Sequence, residues 1–189
     1  MDAKKEQIIE AAVDILSRKG SADTTMQEIA EEAGVGKGTI YRHFDNKEGL
    51  ISALIKHGID ELSAEIKETI KDIDEPVKQL EGLIDTKLEF YNQNHDFCKF
   101  LMRELWGYKE KFEKNIKEIR LSHTVLIEEI IAAGVETGDF KEVNIETAAV
   151  ALIGMVNINV LHYFVFSDIL PEQDLKKDLK ELCFEGLLA

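Results

Sequence analysis

The residues best suited to do chemistry are Gly36-Lys37-Gly38-Thr39-Ile40-Tyr41-Arg42-His43-Phe44, which bring ammonium, hydroxyl, phenol, guanidinium and imidazole groups into one short stretch. At helical spacing Ile40 and Phe44 share a face, while Thr39, Tyr41, Arg42 and His43 look elsewhere. Side chains of these kinds hydrogen-bond base edges and pair with phosphate oxygens, so the chemistry on offer is recognition of duplex DNA. Taken alone, Tyr41 and Phe44 could instead merely close a small helical core. Other chemistries fail on spacing. A Walker loop needs GxxxxGK[ST], but Gly36-Lys37 is followed by Gly38, and Glu31 stands five positions before Gly36. A dinucleotide fingerprint would put its third glycine at Thr39 and a strand before the loop, where a helical pattern stands instead. His43, His57, His95, His123 and His162 form no HExxH or metal-ligand spacing, and there is no GxSxG. Cys98 and Cys183 lie far apart without a CxxC pair. No metal site, cofactor or catalytic residue is expected, and a reducing, cytoplasmic setting fits best.

A DNA-binding stretch must be reconciled with a net charge of −14. Residues 1–50 carry 7 Lys+Arg against 10 Asp+Glu, a net −3, which leaves −11 for the remainder. Within Gly34–Lys47, however, Lys37, Arg42 and Lys47 face only Asp45. The segment is locally positive, and the acidic remainder discourages non-specific adhesion.

The elements that would hold this stretch are helices. Apolar residues recur at helical spacing along the chain and no alternating strand pattern competes, so the fold is read as all-α with about nine helices. Ile8, Ile9, Ala12, Val13 and Leu16 stripe a first helix that Gly20 ends. Thr25-Met26-Gln27-Glu28 has capping-box spacing and starts a short second helix to about Ala33. Gly34 and Val35 make a tight turn into a third helix from near Gly36 to His43. A fourth, long helix runs over about 47–72, and further helices fall near 76–94, 96–106, 108–137, 144–168 and 172–188. Three short helices with a tight turn between the second and third match the helix-turn-helix plan. The chain therefore divides into a DNA-binding part, 1–46, and a larger helical part, 47–189.

Here the sequence resembles the TetR family of bacterial one-component regulators. Thr24-Thr25-Met26-Gln27-Glu28-Ile29-Ala30, then Ala33-Gly34-Val35-Gly36 through Phe44, then Asn46-Lys47-Glu48-Gly49-Leu50 follow that family's signature almost position by position, over roughly residues 4–60. The resemblance implies DNA contacts from Thr39, Tyr41 and His43 on the recognition helix, with Lys37 and Gly38 approaching the duplex at its start. Thr25, Gln27 and Lys47 would hold the flanking backbone, and Lys37, Gln27 and Thr39 are expected to read bases. Arg42 belongs to the outward set. Gly36 replaces the family's more usual serine, which weakens the third helix's cap by at most a few tenths of a kcal/mol. The family default is a repressor that binds a palindromic operator as a homodimer and is released by a small molecule. A ligand-promoted activator and a helical adaptor without DNA binding are the alternatives.

In the second part, helix 144–168 is apolar nearly all round. Leu152, Met155, Val156, Asn159, Tyr163 and Phe166 are grouped on one face, with Val150, Gly154, Leu161 and Val165 opposite. It is long enough to span a bilayer, but Asn157, Asn159 and His162 interrupt it and no Lys or Arg flanks it, so it is read as a buried helix and no membrane partner is expected. A helix apolar on both faces needs cover on both, and the resemblance implies that helices 144–168 and 172–188 pair with those of a second subunit. Phe90, Tyr91, Phe97, Phe100, Leu101, Met102, Leu105, Trp106, Tyr108 and Phe112 are rich enough in large apolar groups to line a cavity. The candidate effector contacts are Tyr91, Met102, Arg103, Trp106, His123, Asn157, Asn159 and Tyr163. Apolar walls with few cations suit a hydrophobic drug-like compound or a fatty acyl thioester.

Overall fold

The computed structural model describes the backbone of residues 3–107, 113–167 and 172–188, and the side chains of 3–101, 123–167 and 173–188. Among these residues there are nine helices and no strand. They are α1 (Ala3–Lys19), α2 (Met26–Glu32), α3 (Lys37–His43), α4 (Lys47–Ile70), α5 (Pro76–Gln93), α6 (His95–Gly107), α7 (Glu113–Thr137), α8 (Ile145–Phe166) and α9 (Glu172–Leu187). The periodicity reading holds for every one of them; positions 108–112, expected in α7, lie outside the described residues.

The chain forms two compact units, one of residues 1–59 with 94–116 and the other of 60–93 with 117–189. In the first, α1 packs on α2 and α6, and α2 packs on α3. Its core is built from Ile8, Ala12 and Leu16 of α1, Ile29 and Ala30 of α2, Ile40 of α3, and Leu50, Leu54 and Ile55 of α4, all 2% exposed or less. Burying each such aliphatic side chain stabilises the unit by about 1.5–3 kcal/mol, enough to hold helices too short to form alone. Phe97 of α6 lies against Gly58 of α4, where a Cβ would come within 2.7 Å of the ring. The α6 aromatics Phe97 and Phe100 are therefore core residues of the first unit, whereas Phe90 and Tyr91 are buried in the second. The described part of the aromatic cluster that looks continuous in sequence is divided between two cores.

In the second unit α5 packs on α8 and α9, and α8 on α9. Leu80, Ile84 and Leu88 of α5, Ile127 and Ile131 of α7, and Val156, Val160 and Phe164 of α8 are almost fully buried. The inward stripe of α8 is Ala149, Leu152, Val156, Val160 and Phe164. This corrects the grouping read from sequence: Phe166 is 76% exposed, and Tyr163 is only half-buried. With apolar residues all round, periodicity could not choose the face; packing against α5 and α9 does.

Candidate functional site

The recognition geometry begins with the first turn of α2. Thr25 is its N-cap: the hydroxyl oxygen accepts from the Glu28 amide at 3.2 Å, and the Thr25 amide donates to Glu28 Oε2 at 2.8 Å. Lys19 Nζ donates to the same carboxylate at 2.9 Å. The Thr25 hydroxyl donates to it as well, at 3.0 Å, and these three donors hold Glu28 ionised, its pKa lowered to about 2, with the lysine hydrogen bond the largest cause. At the other end, Ala33 caps α2, Gly34 takes φ +60°, and two backbone bonds close the turn: Val35 N–H to Ala30 O at 2.9 Å and Gly34 N–H to Glu31 O at 3.0 Å. This is a Schellman motif, and the left-handed residue that it requires is the glycine. It aims the chain into α3.

Gly36 caps α3 without a side chain, and Ile40 and Phe44 bury the inner face as the sequence predicts. The outer face carries Lys37, Gly38, Tyr41 and Arg42, all exposed, with Thr39 and His43 half-buried at its margins. The side chains of Lys37, Thr39, Tyr41 and Arg42 make no hydrogen bond or ion pair with the described residues. The flanking groups differ. Thr25 is engaged in its capping box, Gln27 Nε2 donates to Glu31 Oε1 at 2.8 Å, and Lys47 Nζ donates to the carbonyls of Ser21 and Thr24. The structure thus separates an uncommitted set on α3 from a set engaged inside the protein. A short helix presenting cationic, hydroxyl and phenol groups with no partner among the described residues can meet phosphates and base edges.

The candidate effector residues lie partly together. Tyr91 is buried on α5 and its hydroxyl donates to Asn157 Oδ1 of α8 at 3.0 Å. Lys87, one turn before Tyr91 and only 2% exposed, places its ammonium 5.5 Å from the Tyr91 ring centroid. His123 is buried on α7 with Nε2 3.0 Å from Ser63 Oγ of α4. Asn159 bonds back to the Met155 carbonyl of its own helix at 2.8 Å. Tyr163 stacks edge-on against His162, ring centroids 5.5 Å apart. The side chains of Met102, Arg103 and Trp106 lie outside the described residues.

On its other side α8 leaves Val150, Ile158 and Val165 exposed, as α9 does Leu182. Between these helices an open apolar groove of about 360 Å³ is lined by Ala151, Leu152, Met155, Leu182, Cys183 and Leu187. Burial pushes the Cys183 thiol up to about 11, so it stays protonated at neutral pH. By length and composition α8 is also the one helix among the described residues able to cross a membrane.

Residues 8–54 match the family model for bacterial regulatory proteins of the tetR family, and residues 74–161 match that for the tetracyclin repressor-like C-terminal domain. The chain belongs to the TetR family. It is a DNA-binding transcriptional regulator with a helix-turn-helix domain followed by a helical ligand-binding domain. Over 185 residues this TetR-family chain is 25% identical to the fatty acid metabolism regulator protein of Bacillus subtilis, covering 97% of this chain and 95% of that protein. Its structure is similar to that of FadR from Bacillus subtilis in complex with stearoyl-CoA, with TM-score 0.89 and 25% identity over 96% of this chain and 98% of that one. FadR from Bacillus halodurans matches with TM-score 0.90 and 24% identity, over 98% and 97% of the two chains.

Three features of this TetR-family regulator escaped sequence reasoning. The Ser63–His123 pair joins positions 60 apart, the Lys180–Asp85 ion pair of 2.6 Å joins positions 95 apart, and Lys87 is a buried lysine on the inward face of α5. None leaves a local spacing signal. For Lys87 the only trace is a lysine in step with Leu80, Leu83, Ile84 and Tyr91 on the inward face of α5.

Proposed function

We propose that this TetR-family regulator is a cytoplasmic repressor that binds a palindromic operator as a homodimer and is released by a small hydrophobic or amphipathic effector. The observation that carries the DNA reading is the outer face of α3, where the side chains of Lys37, Thr39, Tyr41 and Arg42 make no hydrogen bond or ion pair among the described residues, behind a hydrogen-bonded glycine turn. Lys37 and Thr39, with Gln27 beside them on α2, supply readout; Tyr41, Arg42 and His43 supply backbone contacts; Gly36 and Gly38 let the duplex come close. Thr25 fixes the start of α2. Two recognition helices in a two-fold dimer would enter successive major grooves about 34–36 Å apart. The exposed apolar residues of α8 and α9 support the dimer, since a surface of this kind is normally covered by a partner.

For the effector, support comes from the FadR structure with stearoyl-CoA and from the apolar second unit, where Lys87 and Tyr91 are buried polar groups on one face of α5. A fatty acyl thioester is therefore the effector class favoured over an uncharged drug-like compound. The test is selection of duplexes by the full-length protein from a random-sequence pool, followed by titration of stearoyl-CoA. A palindromic consensus bound in a salt-dependent way and released by the thioester supports the reading. No enriched duplex would refute the DNA function, and enrichment without release would refute the effector class alone.

A further inference from the structure

Helix α2 carries three carboxylates, and they are not engaged alike. Glu28 is held by Lys19 of α1 at 2.9 Å, and Glu32 faces Arg18 of α1 at 3.7 Å. Glu31 has no cation within ion-pair distance among the described residues. Its Oε1 instead accepts from Gln27 Nε2, one turn earlier on the same exposed face, at 2.8 Å. A negative charge in that position weakens attraction to phosphates. What it supplies is control of the Gln27 amide. A carboxylate only accepts, so the amide must turn its nitrogen toward Glu31. One N–H is engaged there, and the carbonyl oxygen and the other N–H are left for a ligand. In the major groove adenine offers one acceptor, N7, and one donor, N6–H, which match that pair; guanine offers two acceptors, N7 and O6, and needs two donors. Gln27 can give guanine two donors only by withdrawing its N–H from Glu31. Beneath a bound duplex water has little access to the freed carboxylate, and a charged acceptor stripped of its donor is costly there.

We propose that Glu31 is a positioning residue that makes Gln27 read adenine in preference to guanine. It acts through the direction of the amide and need not touch the DNA itself. The inference rests on the DNA reading above, in which Gln27 supplies readout.

The base pair that Gln27 reads is located first, by selecting duplexes from a random-sequence pool with full-length wild type and with Gln27→Ala. It is the position whose preference disappears in the variant. Duplexes that differ only there, with A·T or G·C in both half-sites and the purine kept on one strand, are then titrated by anisotropy. The wild type is expected to favour A·T by roughly tenfold. Glu31→Ala removes the orienting acceptor, and Glu31→Gln, which donates as well as accepts, no longer dictates the direction of the amide. Both should bring the two duplexes within about threefold of each other. Glu31→Asp, still an acceptor one turn from Gln27, should keep most of the preference. In a Gln27→Ala background, Glu31→Ala should leave the ratio unchanged, since there is no amide to orient. Alanine and glutamine also remove a negative charge, which raises affinity for every duplex, so the ratio and not the affinity is the reading. The side chain replaced is exposed, and a native thermal midpoint verifies that each ratio comes from folded protein. A wild type that prefers G·C at that position would overturn the proposal, as would a Glu31→Ala protein with the wild-type ratio. So would a Gln27→Ala protein that selects the wild-type consensus at every position. A wild type that enriches no duplex would remove the DNA reading and this proposal with it, a result distinct from the others.

Discussion

Glu28 shows how a single residue prepares the reading surface. Its carboxylate accepts from Lys19 Nζ and from the Thr25 amide and hydroxyl, and its pKa falls from an ordinary 4.5 to about 2. Because the folded value is depressed, the stabilisation that this charge gives the first turn of α2 is complete above pH 4.5 and is lost as pH falls toward about 2. A carbon-detected titration should find the Glu28 midpoint near 2, and Lys19→Met should raise it toward 4.5. A wild-type midpoint of 4.5 would mean that the capping box is open in solution. Tyr41 poses the complementary case. At 44% exposure it packs little, so Tyr41→Ala should leave the thermal midpoint almost unmoved. Its phenol is exposed and makes no hydrogen bond with the described residues, and losing a contact from it to a phosphate should cost about 1.5–3 kcal/mol of operator affinity, measured by anisotropy on the selected duplex. Unchanged affinity would remove Tyr41 from the interface.

Gly38 sets helix stability against recognition. It lies inside α3, where a Cβ would meet no atom within 4 Å, and an alanine there should favour the helix by roughly 0.5–1 kcal/mol. Among the described residues nothing requires a glycine at that position, whereas the proposed close approach of a duplex would. Gly38→Ala should therefore raise the thermal midpoint while weakening operator binding, and a variant more stable with full affinity would place the duplex elsewhere. This contrast also shows what could be read from the chain alone. The ends of α1 and α2, the capping box and the Gly34-Val35 turn were legible because each depends on residues within a few positions of one another. The inward face of α8 was not, since a helix apolar all round has no amphipathic direction to detect. Nor were the roles of Lys47, His123 and Lys87, whose contacts or burial arise from helices brought together across 23 to 60 positions or from the depth of a core. The proposed recognition face could be named from residue type, but only the structure shows that the side chains of Lys37, Thr39, Tyr41 and Arg42 make no hydrogen bond or ion pair among the described residues while those of Thr25, Gln27 and Lys47 do.

Regulation asks more than a reading head, because one helix-turn-helix has too small an interface to select a site by itself. A second subunit doubles the contacts, and the outer surface of α8 and α9 is where it would dock. Ile158 is 51% exposed, Val165 62% and Leu182 60%. Ile158→Glu would bury a charge at that contact, so it should yield a monomer of native helicity with greatly weakened operator binding, as ultracentrifugation and anisotropy would record. A dimeric Ile158→Glu protein would move the interface away from this face. Effector control adds a second requirement, which linkage makes quantitative. A coupling of about 1–3 kcal/mol changes operator affinity roughly 5- to 150-fold, and the operator must weaken effector binding by the same factor. The route in the chain is α4, which contributes residues to both compact units and begins at Lys47 beside the reading helices. Stearoyl-CoA should therefore bind the free dimer more tightly than the operator-bound dimer, by the ratio in which it weakens operator binding. Calorimetry on the two forms measures one arm and anisotropy the other. Equal thioester affinity in both forms would leave a ligand that binds without signalling. Unequal factors in the two arms would break the thermodynamic cycle and show that another species, such as a dissociated monomer, carries part of the response.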